Sequence, residues 1–248
     1  MKKPISFLRK LIVPILIVVV WSLFTSGGNA PVYLPSLLSI SEELASLIVT
    51  DTFIDHIAIT LYRCFVGFLI AALIAVPVGM SLGFYKKVMN LFQFVIEFLR
   101  PLPSAAVIPI AILFLGIGDS MKIFVIVFGS TWPILINTLD GVLGIEKQYL
   151  KTAKVFNVSS RKTLLKVVFP SILPQIFSGF KVSIAISLIL AITVEMIVGG
   201  NGLGFFILDA ERSFQFTQMY AGVFTIGILG YLINIVFIKL EKWIIFWK

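Results

Sequence analysis

The stretch TLYRCFVGFLIAALIAVPVGMSLGF, residues 60–84, contains one charged residue, Arg63. A helix needs about 20 mainly apolar residues to cross the hydrocarbon core of a bilayer, and this run is long enough. Small residues recur at every fourth position along it, at Gly67, Ala71, Ala75 and Gly79. Such a stripe allows helices to pack closely, either within one bundle or against a second copy of the chain.

The composition of the whole chain agrees with a membrane location. Of its 248 residues, 59% are hydrophobic and 13% are charged, and the mean hydropathy is +1.07. A soluble domain carries about a quarter charged residues, so this chain has too few polar side chains to cover a surface that faces water. We therefore predict an all-α protein of the cell membrane, with residues 1–248 forming one domain in the lipid bilayer.

Six apolar windows are long enough to span a bilayer. They are residues 7–25, 57–84, 91–117, 121–139, 175–198 and 218–238. The first could instead be a signal peptide, because the basic MKKPISFLRK begins the chain and the small residues GGNA follow the window. We favour an uncleaved anchor, since Pro31 would follow the cut and cleavage would leave five spans.

The basic residues predict the orientation of these spans. With the N-terminus inside, 15 of the 20 Lys and Arg residues fall on the cytoplasmic side, and only Lys122 and Arg212 fall outside. The cytoplasmic set is Lys2, Lys3, Arg9, Lys10, Lys86, Lys87, Lys147, Lys151, Lys154, Arg161, Lys162, Lys166, Lys239, Lys242 and Lys248. This bias places both termini in the cytoplasm and explains the net charge of +8 without a nucleic-acid partner. The outer segment 27–55 is expected to hold a short amphipathic helix.

One cytoplasmic loop, YLKTAKVFNVSSRKTLLKVVFPSILP at 149–174, has basic but no acidic residues. Its apolar residues recur at helical spacing in two groups, Tyr149, Leu150, Ala153 and Phe156, then Leu164, Leu165, Val168 and Phe169. The pattern predicts two short amphipathic helices. An exposed apolar stripe of this kind lies on the bilayer or docks into the groove of a partner, and the residues alone leave both open.

The ends of the two helices also have sequence signals. Asn157 lies where the first helix would stop, and asparagine tolerates the left-handed conformation. Ser159 or Ser160 can cap the second helix. Pro170 and Pro174 are expected to mark the turn back into the membrane.

This loop resembles the motif E-A-A-x3-G-x9-I-x-L-P of ABC-importer permeases. The matching positions are Lys151, Thr152, Ala153, Asn157, Val167, Phe169 and Pro170, of which Ala153 and Pro170 keep the consensus residue. Other stretches are similar to the nitrate, sulfonate and taurine branch of that family. They are residues 60–87, RPLPSAAVIPIAILFLGIGDSMKIF at 100–124, WPILINTLDGV at 132–142 and EMIVGGNGLGFFILDA at 195–210.

The resemblance covers about residues 60–240 and implies the type I ABC importer permease fold, with a coupling loop at about 140–172. It implies a cytoplasmic ATPase subunit that holds ATP and Mg²⁺, an extracytoplasmic solute-binding protein and a second permease copy. The solute would be small and anionic, such as a sulfonate, taurine or nitrate. The residues that would couple to the ATPase are Lys151, Thr152, Ala153, Phe156, Asn157, Leu164, Leu165 and Pro170.

No motif for catalysis or cofactor binding is evident in the chain. The phosphate-binding sequence G-x-x-x-x-G-K-[ST] is absent, so we expect a non-enzyme that binds no cofactor. The run GGNGLG at 199–204 lacks the lysine and is interpreted as a tight outer turn, with a role in lining a gate as the alternative. Cys64 and His56 have no neighbours at metal-ligand spacing and are expected to be structural.

Charged residues within spans are costly and are candidates for a solute path. They are Arg63, Glu97, Arg100 and Glu195. Arg63 and Glu195 could instead be anchors at the membrane interface, as Lys181 is expected to be, and Glu97 and Arg100, three residues apart, could neutralise each other. Near Arg100, three prolines (Pro101, Pro103 and Pro109) predict a broken helix, a common feature of transport sites.

Two other classes of protein fit parts of the pattern. An ion-coupled secondary carrier would need carboxylates along the path, and only Glu97 and Glu195 qualify. A membrane scaffold without a path would use the loop at 146–170 only to dock a cytoplasmic partner.

Overall fold

The computed structural model describes residues 3–25 and 31–246. Every regular element in those ranges is helical, which confirms the all-α prediction. The α-helices are α1 Lys3–Thr25, α2 Leu37–Leu47, α3 Asp51–Phe84, α4 Lys86–Leu99, α5 Ile108–Leu115, α6 Asp119–Leu143, α7 Lys147–Val155, α8 Ser160–Thr163, α9 Phe169–Val198, α10 Leu203–Arg212 and α11 Phe216–Ile244. A 3₁₀ turn, Ser104–Val107, precedes α5, and a π-helical segment, Leu164–Val168, joins α8 to α9.

Four helices in the described part are long and apolar enough to cross a membrane. They are α3, α6, the continuous helix Ser160–Val198 and α11, and each contains one of the predicted windows. The window 91–117 corresponds to α4 and Ser104–Leu115, which together pass the same test but are bent by 92°. The first window lies in α1, whose apolar part Ile12–Thr25 is shorter. The considered cleavage site at 27–30, as well as Lys2 and Lys248, lies outside the described residues.

The core of the bundle is formed by α3, α6 and α9. Ala71 and Ala75 of the small-residue stripe have no exposed surface. A methyl group added at Gly67 would lie 2.5 Å from Cγ2 of Ile126, and one at Gly79 would lie 2.9 Å from the carbonyl oxygen of Leu135. The stripe is therefore the contact between α3 and α6 within one chain.

Serine hydroxyls join α6 to α9 inside this core. The Oγ atoms of Ser130 and Ser187 are 2.7 Å apart, and Ser183 donates to the carbonyl of Ser130 at 2.7 Å. All three residues are buried. Such hydrogen bonds stabilise helix pairs where no water is available to satisfy the polar groups.

The predicted break in the third window is present. Helix α4 ends at Leu99, Pro101 and Pro103 follow, and Pro109 lies in the first turn of α5. Proline lacks a backbone N–H and clashes with the preceding turn, so a helix cannot continue through two of them at this spacing. The predicted helix in the outer segment is also present as α2, where Ser36 accepts a hydrogen bond from the Ser39 N–H at 3.1 Å.

Candidate functional site

The first helix of the basic loop, α7, ends in a left-handed asparagine. Asn157 has a φ of +51°. Its N–H donates to the carbonyl of Lys154 at 3.0 Å, and the next N–H, of Val158, donates to the carbonyl of Ala153 at 2.9 Å. These two bonds form a Schellman motif, which closes the end of a helix and usually has glycine at the left-handed position. The predicted end at Asn157 is confirmed.

The apolar stripe predicted for α7 divides between two surfaces. Leu150 packs against the cluster around Met80 and Val142, and Ala153 is buried, with 7% of its surface exposed. In contrast, 53% of Tyr149 and 76% of Phe156 are exposed. The expectation that Ala153 lies on the exposed stripe is wrong, because this face of α7 covers the chain's own core.

The outward surface of α7 therefore combines apolar and basic side chains. The exposed apolar residues are Tyr149, Val155 and Phe156, and the exposed polar neighbours include Lys147, Lys151, Thr152 and Lys154. We call these seven residues the α7 surface.

The second half of the loop differs from the prediction. The helix that begins at Ser160 does not turn at Pro170 or Pro174 but continues to Val198. The π-helical segment ends two residues before Pro170. At its end, the Phe169 N–H donates to the carbonyl of Leu164, five residues back. This wider turn changes the hydrogen-bond register just ahead of the proline, so the helix continues. Leu165 is 55% exposed, whereas Leu164 packs on the core and Pro170 is half-buried.

At the other end of α9, polar side chains around the buried Arg63 and Glu195 join three helices. The Arg63 guanidinium donates from Nη1 to Oε1 of Glu195 at 2.7 Å, and from Nε and Nη2 to Oδ1 of Asp119 at 2.9 and 2.6 Å. It also donates to the backbone carbonyl of Asn201 at 3.0 Å and to its side-chain oxygen. Thr60 donates to Oε2 of Glu195 at 2.8 Å. We call these five residues the Arg63 cluster.

Thr60 and Glu195 of this cluster, together with His56, hold the turn at 199–204, which we call the glycine turn. Three successive backbone N–H groups at the start of α10 have side-chain acceptors: Gly202 donates to Nδ1 of His56 at 3.0 Å, Leu203 to Thr60 at 2.8 Å and Gly204 to Oε2 of Glu195 at 3.0 Å. The amides that would otherwise bind an anion are therefore occupied by the chain itself.

Glycine at position 202 is required by this packing. Its φ is +103°, and a methyl group there would lie 2.2 Å from Cδ of Glu195. Lys122 adds a further bond to the turn, from Nζ to the carbonyl of Gly199 at 2.8 Å. The interpretation of GGNGLG as a tight turn is confirmed.

Sequence reasoning selected Arg63 and Glu195 but not most of their partners. Thr60, Asp119 and Asn201 carry no local signal, since each approaches Arg63 only after the helices pack. Arg63 and Glu195 are 1% and 0% exposed, so neither is an interface anchor. Lys181 was expected to extend to the interface, but it pairs with Glu241 of α11.

The other two path candidates lie at the break between α4 and α5. Both Glu97 and Arg100 are exposed. Glu97 accepts a hydrogen bond from Gln93 at 2.8 Å, and no ion pair joins Arg100 to Glu97 or to any other residue in the described ranges. The alternative that these two neutralise each other is thus not supported. The four candidates therefore lie in two places. Arg63 and Glu195 form a buried ion pair, whereas Glu97 and Arg100 are exposed near the break and are not paired with each other.

Arg100 lines a cavity of about 410 Å³ between the broken span and α6. Its other walls include Ser104, Trp132, Pro133 and Asn137. In the described part of the chain, no group of three or more His, Cys, Asp or Glu side chains is placed to hold a metal ion.

Comparisons with known proteins agree with this architecture. The sequence profile of the family described as "Binding-protein-dependent transport system inner membrane component" matches residues 75–245. The bicarbonate transport system permease protein CmpB of Synechococcus elongatus is 33% identical over 239 residues, which cover 92% of this chain and 85% of that protein. The nitrate import permease protein NrtB of Synechocystis sp. is 30% identical over 248 residues, which cover 94% of this chain and 90% of that protein.

A third relative and a solved structure extend the comparison. A protein of Bacillus subtilis named as an aliphatic sulfonates transport permease, SsuC, is 27% identical over 248 residues, which cover 100% of this chain and 90% of that protein. A chain of the MetNI methionine ABC transporter, in an inward-facing conformation, matches with a TM-score of 0.70 at 19% identity, and covers 81% of this chain and 97% of that chain. At this identity the structural match shows the fold alone.

These matches extend over most of the chain. The family has no indicated cofactor site, and its members work with an ATPase that is a separate subunit and with a solute-binding protein. The chain belongs to the binding-protein-dependent transport system inner membrane components, and it is the permease subunit of an ABC importer.

Proposed function

We propose that this permease carries a small oxyanion. Relatives over nearly the whole chain are named for bicarbonate, nitrate and aliphatic sulfonates. These solutes differ in size but share a compact anionic group with several acceptor oxygens. The shared chemistry, rather than any one of the three names, is what we assign to this chain.

We further propose six spans with both termini in the cytoplasm. Four described helices, the bent pair and α1 would supply them. The excess of Lys and Arg on one side supports this orientation, which places α7 in the cytoplasm and the glycine turn outside. Two copies of the chain would enclose the path.

The observation that supports a coupling role is the α7 surface. A half-exposed Tyr149 and a mostly exposed Phe156 lie beside several lysines. The other face of this helix is attached to the core by Leu150, and Ala153 on that face is buried. If the ATPase subunit moves this helix, the contacts of Leu150 can pass the displacement to α3 and α6. We propose that it docks into a groove on the ATPase subunit, with the lysines facing acidic residues at its rim.

We propose different roles for the two groups of path residues. The burial of Arg63 and Glu195 inside one chain supports a role in holding the outer wall of the path rather than in contacting solute. The exposure of Arg100 beside a cavity supports a direct role for this residue.

The experiment is uptake by the assembled transporter. Permease, its ATPase subunit and its binding protein are reconstituted in liposomes, and uptake of labelled nitrate, bicarbonate and methanesulfonate is measured with and without ATP. We expect ATP-dependent uptake of at least one of them. Uptake of none of the three, by a complex that hydrolyses ATP in response to its loaded binding protein, would overturn the assignment of an oxyanion.

A further inference from the structure

The cavity beside Arg100 has the features of an anion site. It lies where the third span bends by 92°, between that bend and α6. Its volume of about 410 Å³ exceeds that of a small oxyanion, and ligand pockets of several hundred Å³ are common. Pro133 of α6 also lines it, and because proline lacks an N–H it donates no hydrogen bond to the Gly129 carbonyl one turn earlier.

The charge of the cavity wall is positive. Arg100 is the one charged residue among those that line it, and it forms no ion pair with a described residue. Glu97 lines a neighbouring cavity that also touches Arg100, and it is not among the residues that line the larger one. An unpaired charge inside a membrane protein is costly and is kept where it serves a function.

Polar side chains on the cavity wall can complete the coordination of an anion. The Ser104 side chain lies on the cavity wall beside Gly129 of α6, which lines the same cavity, and its hydroxyl is a donor as well as an acceptor. Asn137 donates one amide hydrogen to the carbonyl of Pro133 at 2.8 Å and retains the other. The indole N–H of Trp132, which is buried, has no acceptor among the described residues. Because this nitrogen has almost no accessible surface, it does not reach a solute in the cavity, and Trp132 contributes its ring to the wall.

We propose that Arg100, Ser104 and Asn137 form a transit site for the oxyanion at the broken span, with the ring of Trp132 as part of its wall. Arg100 supplies the charge and paired donors, which suit a planar or tetrahedral oxyanion. Ser104 and Asn137 supply neutral donors from the two sides of the cavity. This inference rests on the proposed function, since it identifies where within the permease the anionic solute binds.

The test measures the charge preference of the cavity without transport. Ser104→Cys is made in the full-length permease, purified with its ATPase subunit, and its labelling rates by anionic 2-sulfonatoethyl and cationic 2-(trimethylammonium)ethyl methanethiosulfonate are compared. The unmodified chain is the blank, because its single cysteine, Cys64, has no exposed surface. The ratio of the two rates is then measured again with Arg100→Gln, with Arg100→Lys, and with Lys87→Gln as the matched loss of a distant charge.

We expect Arg100→Gln to lower the ratio of anionic to cationic labelling by about tenfold, because a cleft lined by one sign of charge raises local counter-ion concentration about 10-fold or more. Arg100→Lys should preserve most of the ratio, and Lys87→Gln all of it. Nitrate or methanesulfonate should slow anionic labelling of Ser104→Cys, and less so when Asn137→Leu removes the amide donor. A ratio that Arg100→Gln leaves unchanged would overturn the inference.

The outcomes for the site and for the proposed function are separable. If the ratio is unchanged but the transporter takes up an oxyanion, the path for that solute lies elsewhere and only the transit site is wrong. If Arg100 controls the ratio but none of the three anions is taken up, the assignment of the solute is wrong, although the cavity still selects anions.

Discussion

Nη1 of Arg63 in α3 lies 2.7 Å from Oε1 of Glu195 in α9, and both side chains are buried. A buried ion pair compensates for the loss of water only when its remaining donors and acceptors are also satisfied. Here the guanidinium reaches Asp119 and Asn201 as well, and the carboxylate accepts from Thr60 and the Gly204 N–H. The pair therefore joins α3, α6 and α9 to the glycine turn.

Glu195→Gln should destabilise the permease strongly, because it removes the fully buried counter-ion of the Arg63 guanidinium. Loss of one member of a buried pair typically costs about 3–5 kcal/mol. Asp119→Asn is the control, since 55% of the Asp119 side chain is exposed and water can replace it. The measurement is the folded fraction after heating in detergent, by size-exclusion chromatography. Equal losses for the two variants would contradict a special role for the buried pair.

Gly202→Ala should also reduce folding. The added methyl group would lie 2.2 Å from Cδ of Glu195, and the φ of +103° is unfavourable for any residue with a Cβ. The matched control is Gly227→Ala in α11, where a methyl group has no neighbour within 4 Å and alanine favours the helix. Folded yield of the two variants is compared with that of the parent. Normal yield of Gly202→Ala would show that the turn can rearrange.

Ala153→Glu should impair folding of the permease, whereas Phe156→Glu should impair its assembly with the ATPase subunit. Position 153 is buried against the core, so an unpaired carboxylate there should lower the yield of folded permease. Position 156 is 76% exposed, so the charge there should leave folding intact and weaken binding of the ATPase subunit. Folded yield and the amount of co-purified ATPase separate the two effects. If Phe156→Glu retains the ATPase and normal transport, the α7 surface is not the docking site.

Asn157→Gly should be tolerated, whereas Asn157→Val should reduce coupling. Glycine adopts the observed φ of +51° without strain, but a β-branched residue in this conformation is a genuine outlier. The valine variant should therefore lose the Schellman motif that fixes the end of α7. Stimulation of ATP hydrolysis by solute-loaded binding protein is measured for both. Equal stimulation would mean that the end of α7 does not need this geometry.

Features that depend on nearby residues could be predicted from the sequence. The apolar windows, the break at Pro101 and Pro103, and the helix end at Asn157 each follow from a short stretch of chain. The prediction that the small-residue stripe of α3 is a packing surface is confirmed. The sequence alone does not tell whether the helix that packs there belongs to the same chain or to a second copy. These features need only helix geometry and the conformational limits of proline, glycine and asparagine.

Features that depend on packing could not be predicted in this way. Arg63 and Glu195 are 132 residues apart, and nothing in either stretch indicates the other. The helix continues through Pro170 because Val168, Ile172 and Ile176 on its inner face are buried with Met80 and Val142. Ala153 is buried on the same side of α7 as Leu150, which packs against that cluster. In each case tertiary contacts override the local signal.

The most direct test of the account is photocrosslinking from position 156. Benzoylphenylalanine replaces Phe156 in the assembled transporter, and it replaces Leu113, an exposed apolar residue of α5, as the control. If α7 couples this permease to a separate ATPase, irradiation should link position 156 to the ATPase subunit, while the control at 113 should not reach that subunit. Crosslinks from position 156 to lipid alone would contradict the account, because α7 would then lie on the bilayer.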